Sequence, residues 1–233
     1  PLVGGLREPR GGGNRINHLK RFVAAGDLPP AHVYQSYIRA LTPEQRRRLY
    51  APAIAAKVDF EYVESLGRVH FEKLEGGDWL DRALYQDLKM YLPDDILALS
   101  DRVGMHHSLE LRVPFIDHKV VEFCARLPQQ VKIRGAEKKY LLKQAARQLL
   151  PESVISHRKQ GFCAPLSAWL HQDLRPVVGR ILDPSRLAGE GFFDPKAVGA
   201  LVEDHHARRS LNDKAIFSLL MFGKWLAAQP GRS

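Results

Sequence analysis

The chain has 233 residues and a mass of 26.3 kDa, enough for one large domain or two small ones. A hydrophobic content of 45% and a charged content of 26% are those of an ordinary globular protein. No apolar run approaches the roughly 20 residues a membrane-spanning helix needs, so an integral helical membrane protein is excluded. The formal net charge of +9 admits anionic partners such as nucleotides, pyrophosphate, RNA or an acidic membrane surface, without choosing among them. The start, PLVGGLREPRGGGNR, has no apolar core and does not read as a signal peptide. It also lacks an initiator Met, which suggests a piece of a longer chain. Cys124 and Cys163 have no metal-ligand spacing and cannot form a disulfide framework, which points to a reducing compartment, the cytoplasm.

Residues 1–13, rich in glycine, read as a loop or severed connection. Asn14 caps an expected helix carrying Ile16, Leu19 and Val23, which Gly26 closes. A second helix follows Pro29-Pro30, with Val33, Tyr37, Ile38 and Leu41 on its apolar side. Thr42-Pro43-Glu44-Gln45 has the form of a capping box, and Arg46, Arg47 and Arg48 after it read as a solvated face. From 55 to 74 the pattern is helical but broken at Gly67. Gly76-Gly77 makes a turn, and Asp78 caps a firmer helix whose stripe is Leu80, Ala83, Leu84, Leu88 and Tyr91. Asp87 falls on that stripe, where a carboxylate needs a partner or a proton.

The stretch from 94 to 118, DDILALSDRVGMHHSLELRVPFIDH, changes period midway. Pro93 suits a first helical position, with Asp94 and Asp95 where the helix dipole favours carboxylates. Ile96, Leu97, Ser100, Val103, Gly104 and His107 then share a helical face. From Ser108, apolar Leu109, Leu111 and Val113 alternate with Ser108, Glu110 and Arg112, a spacing of two that implies extended backbone. Glu110 and Arg112 then share one side, with the leucines anchoring the other. Such a carboxylate–guanidinium ribbon either grips a charged substrate or is a structural ion pair on a short edge strand. Pro114 ends it.

Asp117 starts a helix with Val120, Val121, Cys124 and Leu127 inward, and Leu141, Leu142, Ala145 and Leu149 form the next stripe. Lys138, Lys139 and Lys143 line that helix's start, where cations oppose the dipole. HRKQGFCAP, 157 to 165, is a polar glycine loop of the kind that carries binding residues. Asp194-Pro195 opens a helix ending near His205-His206. Neighbouring histidines diverge by about 100° on a helix and no third ligand has suitable spacing, so no metal site is expected. Asn212 caps the last helix, with Ile216, Leu219, Leu220, Gly223 and Leu226 as its core stripe and Phe222 and Trp225 packing beside it. The pattern describes a mainly α body with one core and at most one short extended segment. No G-x-x-x-x-G-K-[ST], G-x-G-x-x-G or G-x-S-x-G motif occurs.

DLKMYLPDDILALSDRVGMHHSLELRVPFIDH, residues 87 to 118, closely resembles the synthetase domain of the glutamine-dependent asparagine synthetases and their amidotransferase relatives. KQGFCAPLSAWL, 159 to 170, resembles that family's basic-Gly-Phe loop, and IFSLLMFGKWL, 216 to 226, its final helix. The likeness implies the helical C-terminal portion of an ATP-pyrophosphatase-type (adenine nucleotide α-hydrolase-like) α/β synthetase domain, spanning residues 14–229 after a linker at 1–13. It further implies adenylation of a carboxylate, aspartate by default, and displacement of AMP by ammonia from an N-terminal glutaminase domain of the same polypeptide. The family's Ser-Gly-Gly-x-Asp-Ser nucleotide loop is not in this sequence, so ATP and Mg2+ would be held mainly by residues outside it and this piece alone should not turn over.

Carried over by position, the resemblance gives Lys159 contact with the nucleotide phosphates and the departing pyrophosphate. It places Glu110 at the reacting centre, orienting the amine or accepting its proton. Arg102 falls near the phosphates or the acyl-adenylate, and Arg112 pairs with Glu110 or binds a carboxylate. Leu99 stands where relatives often carry lysine, and His157-Arg158 replaces the usual Arg-Pro before Lys159. No membrane contact is expected, and a homodimer is left open. The competing expectation is a non-catalytic basic helical module for RNA or a protein partner, although aromatic residues interleaved with basic ones are not evident.

Overall fold

The computed structural model describes Val23, residues 26–157 and residues 164–230. The helix expected from Asn14, and Lys159 with its glycine loop, lie outside the described residues. Of the described residues 67% are helical, as the periodicity implies. It divides into two compact units: residues 1–67 with 163–233, and residues 68–162.

In chain order, the first unit opens with α1 (Pro30–Ile38), α2 (Pro43–Leu49), α3 (Pro52–Ala55) and α4 (Phe60–Leu66). The second unit holds α5 (Val69–Lys73), α6 (Trp79–Gln86), a π-helical stretch (Asp87–Leu97), α7 (Ala98–His106), α8 (His118–Ala125) and α9 (Gln129–Lys132). A hairpin of β1 (Ile133–Arg134) and β2 (Glu137–Lys138) follows, turning at Gly135 with φ +59°, then α10 (Tyr140–Ala146) and α11 (Glu152–Ile155). The chain returns to the first unit with α12 (Leu166–His171), α13 (Arg175–Ile181), α14 (Pro184–Glu190), α15 (Pro195–His206) and α16 (Asp213–Ala227).

Local chemistry sets many of these boundaries. Thr42 Oγ1 accepts from the Gln45 amide at 3.2 Å while Gln45 Oε1 accepts from the Thr42 amide at 3.0 Å, the capping box read from the sequence. Asp78, Asp117, Asp183 and Asp194 cap their helices through side-chain oxygens. Asn212 precedes the last helix as expected, but its side chain is spent elsewhere and does not cap.

The main buried cluster lies in the first unit. Leu170, Val178, Ile181, Leu187, Val198 and Ile216 belong to it, with Leu219, Leu220 and Leu49. At Gly223 an added Cβ would come 2.6 Å from Ile181 Cγ2, so only glycine lets α16 approach α13 this closely. Beside this cluster, Glu64 is buried between Arg46 at 2.8 Å and Arg39 at 3.5 Å, an ion-paired carboxylate tying α4 to α2 and to the end of α1.

Several expected stripes are not buried. On α1 the covered residues are Ala31, Tyr34 and Gln35, while Ile38 is exposed. In the second unit Leu84, Tyr91, Val120, Leu141 and Leu149 are exposed, as are Cys124 and, in the first unit, Trp225. Helical spacing identifies an apolar face but not whether another element covers it. Pro93 does not begin a helix: the helical path runs from Trp79 to His106, with Pro93 inside the π stretch. The wider π turn tolerates a residue with no N–H to give and relieves the ring's clash with the preceding turn.

Replacing Ile216 by Ala, at a site with no solvent exposure, should cost about 2–5 kcal/mol in denaturant unfolding. Leu149→Ala, at a position 82% exposed, should change stability by no more than ~0.5 kcal/mol.

Candidate functional site

The second unit positions the Glu110–Arg112 ribbon by a sequence of local devices. Gln86, 1% exposed, accepts the Phe71 amide through Oε1 at 2.7 Å and gives Nε2 to Met90 Sδ at 2.7 Å. These contacts fix α6 against α5 just where the π stretch begins. Lys132 Nζ meets Asp81 Oδ1 at 2.8 Å and so ties α9 to the same helix. Arg102 and Leu99 lie on α7 with exposed side chains.

The end of α7 is a Schellman turn. Ser108 adopts φ +57°, its amide bonds Met105 O at 3.0 Å, and the Leu109 amide reaches back to Gly104 O at 2.9 Å. The left-handed position usually belongs to glycine, yet here it is serine, and the glycine sits four residues earlier. A Cβ on Gly104 would come 2.7 Å from Leu109 O and 3.1 Å from Leu111 Cδ1. The first contact is with backbone, which cannot yield cheaply. Gly104 therefore allows residues 109–113 to leave the helix by passing close along its last turn.

Residues 109–113 form neither helix nor strand and nothing pairs with them among the described residues, although Val113 at their end has extended backbone, φ −114° and ψ 97°. Arg112 Nε donates to Glu110 Oε1 at 3.1 Å and Nη2 to Oε2 at 3.3 Å, a two-pronged contact across one residue. The Glu110 side chain is 66% exposed and that of Arg112 83%. Leu109 and Leu111 do not anchor the ribbon in a core, for both are exposed. The turn at Gly104–Ser108 and the short 3-10 turn Pro114–Ile116 hold it instead.

The structure thus brings Glu110 and Arg112 together. It places Arg102 on the preceding helix, with no hydrogen bond or ion pair joining it to them. Lys159 lies outside the described residues. Among the described residues no group of three His, Cys, Asp or Glu side chains could hold a metal ion. Arg102 and Arg112 suit an anion such as a phosphate or carboxylate. The π stretch, the serine-centred turn and the role of Gly104 were not read from the sequence. A glycine four residues before the change from period 3.6 to period 2 at Ser108 was the available signal.

The asparagine synthase family model matches residues 10–227. An asparagine synthetase [glutamine-hydrolyzing] 1 of Bacillus subtilis (strain 168) is 31% identical over 158 residues, which is 68% of this chain and 25% of that protein. A putative asparagine synthetase [glutamine-hydrolyzing] of Mycobacterium bovis is 29% identical over 214 residues, 89% of this chain and 31% of that protein. Amidase chry2 of Gibberella zeae is 26% identical over 56% of this chain and 21% of its own length. The chain therefore spans about a quarter to a third of the length of these two asparagine synthetases. No solved structure matches it. With nearly its whole length aligned to that one family model, the chain belongs to the asparagine synthase family.

Proposed function

We propose that the chain is the helical C-terminal part of the synthetase half of an ATP-dependent, glutamine-using amide ligase. In this reading a substrate carboxylate, aspartate by default, attacks the α-phosphorus of ATP and releases pyrophosphate. Ammonia, made from glutamine by an N-terminal domain of the same polypeptide, then attacks the acyl carbon, and AMP leaves with the bonding electron pair. The observation that carries the reading is the exposed Glu110–Arg112 ribbon, set at a defined helix end within a chain of this family. Names of relatives such as the Bacillus subtilis enzyme support the glutamine-dependent synthesis of asparagine.

Glu110 takes the proton that the attacking ammonia must lose, a task for a solvent-accessible carboxylate. Lys159 stabilises the negative charge that builds on the departing pyrophosphate more than it stabilises bound ATP, which makes its contribution catalytic rather than merely binding. Arg102 contacts the phosphates, and Arg112 orients Glu110 or receives a substrate carboxylate. Mg2+, in this reading, is held by residues other than those described. The two cysteines, without a disulfide framework, agree with a cytoplasmic setting. No helix among the described residues is long and apolar enough to cross a membrane. Pairing of two full-length chains is left as part of the proposal.

In the full-length protein carrying this chain, Lys159→Ala should lower ATP–pyrophosphate exchange by about 10²–10³-fold. Glu110→Gln should spare exchange and reduce amide formation by about 10²–10⁴-fold. Wild-type rates in both folded variants would remove the assigned roles. A double-mutant cycle between Glu110 and Arg112 should return less than ~1 kcal/mol of stability, as expected for an exposed pair. A coupling of several kcal/mol would mark the pair as structural.

A further inference from the structure

Three histidines meet in the first unit. His171 ends α12, and His205 and His206 end α15. The ring centroids of His171 and His205 are 4.6 Å apart, those of His171 and His206 5.7 Å, and those of His205 and His206 6.0 Å. His205 is 1% exposed.

The hydrogen bonds assign the rings' protons. His171 Nδ1 lies 2.7 Å from Ser167 O and must donate to it, leaving Nε2 as the acceptor of the neutral ring. His206 Nε2 lies 3.3 Å from Leu170 O and likewise donates. His205 does the opposite: its Nδ1 accepts the Asn212 amide at 3.4 Å, so its proton sits on Nε2. Both Nε2 atoms, of His171 and of His205, are buried without a hydrogen-bond partner. The contact with Asn212 therefore stands only while His205 keeps Nδ1 bare.

Asn212 is the other end of this contact. Its Nδ2 donates to Leu201 O at 2.9 Å and to Ser210 Oγ at 2.8 Å, and its Oδ1 accepts from Gln45 Nε2 at 3.3 Å. One buried asparagine thus links α15, the loop 207–212, the start of α16 and the neutral Gln45 of α2.

We propose that this cluster is an acid-released latch: protonation of His205 at Nδ1 takes away the acceptor for the Asn212 amide and loosens the connection between α15 and α16. The groups acting on His205 are His171 from α12, His206 on its own helix, Arg208 on the loop and Asp213 on α16. Only Asp213 favours the cation. Arg175 of α13 and His171 act on His206 in the same unfavourable sense. Glu203 and Asp204 are engaged by Arg209 at 3.1 and 2.6 Å. Burial first, then the neighbouring His171, hold His205 down to about 4 from the usual 6.5. Because the folded state resists the proton that the unfolded chain accepts, the stability is fully present above about 6.5 and is lost as pH falls toward about 4.

The test is ring-nitrogen and amide NMR of the full chain across this pH range, with thermal unfolding alongside. His205 should titrate near 4, and the Asn212 amide should move with the same midpoint. The folded-to-unfolded ratio should fall by up to about tenfold per pH unit below 6.5. His205→Gln, which offers a non-titrating acceptor, should flatten that slope. His171→Gln leaves His205 in place and should raise its midpoint by removing an adverse neighbour. A His205 midpoint near 6.5, an Asn212 amide that does not follow it, or a wild-type slope in a folded His205→Gln protein would each overturn the latch.

Discussion

The ribbon at residues 109–113 depends on one close approach, the return of the Leu109 backbone along the last turn of the helix that ends at His106. Two conditions make it feasible. Ser108 must hold a left-handed conformation, and Gly104 must lack a side chain where Leu109 O would otherwise be 2.7 Å from it. The helix in turn is kept in line by the π stretch, which carries Pro93 without breaking the path from Trp79. Shifting any of these elements would re-aim Glu110 and Arg112 together, because both sit on the few residues between the turn and Pro114. The geometry of the ribbon is therefore a property of the backbone around it and not of side chains packed beneath it.

The pairing of Glu110 with Arg112 has a consequence for how an anion would be received. Both prongs used by Arg112 are filled by the carboxylate two residues away, and the pair is open to solvent. An exposed contact of this kind is worth little, so a phosphate or carboxylate arriving at Arg112 would displace Glu110 at small cost. Glu110 would then be left with free oxygens beside the newly bound anion. For the proposed ligase this would couple substrate binding to the availability of a proton acceptor, using nothing beyond two side chains on one short segment. A lysine in place of Arg112 would hold a carboxylate at one point only and would not orient it.

Much of the local structure was legible because it is local. The Thr42–Gln45 box, the helix starts at Asp78, Asp117 and Asp194 and the break at Gly67 are decided by neighbours within four residues. The final helix was legible for another reason: Ile216, Leu219, Leu220, Gly223 and Leu226 form an uninterrupted stripe, and all are buried. What was not legible depends on distant partners. His171 joins His205 and His206 across more than thirty positions, and no spacing rule reports such a meeting. The stripe of Leu80, Ala83, Leu84, Leu88 and Tyr91 has the same periodicity as a buried one, but among the described residues it is covered only in part: Ala83 is buried while Leu84 and Tyr91 are exposed. Pro93 was misplaced because a proline after a helical run marks a new start far more often than it marks a π segment.

The two units differ in how they are held, and the difference bears on where function can sit. The first has a buried apolar cluster to which most of its helices contribute, with Glu64 and Asn212 as buried polar ties in the same unit. The second buries Phe71, Ala83 and Ile155 and leaves large apolar side chains such as Phe115, Phe123 and Leu149 exposed. Its order comes from helix caps, the Gln86 and Lys132 contacts and the Schellman turn, each worth on the order of 1 kcal/mol. Segments so stabilised open at lower free energy than a packed core. A ribbon placed there can give up its exposed ion pair at small cost, with no packed core beneath it to disturb. The histidine cluster, by contrast, lies within the first unit, where the gain or loss of one proton acts on the packing of several helices at once.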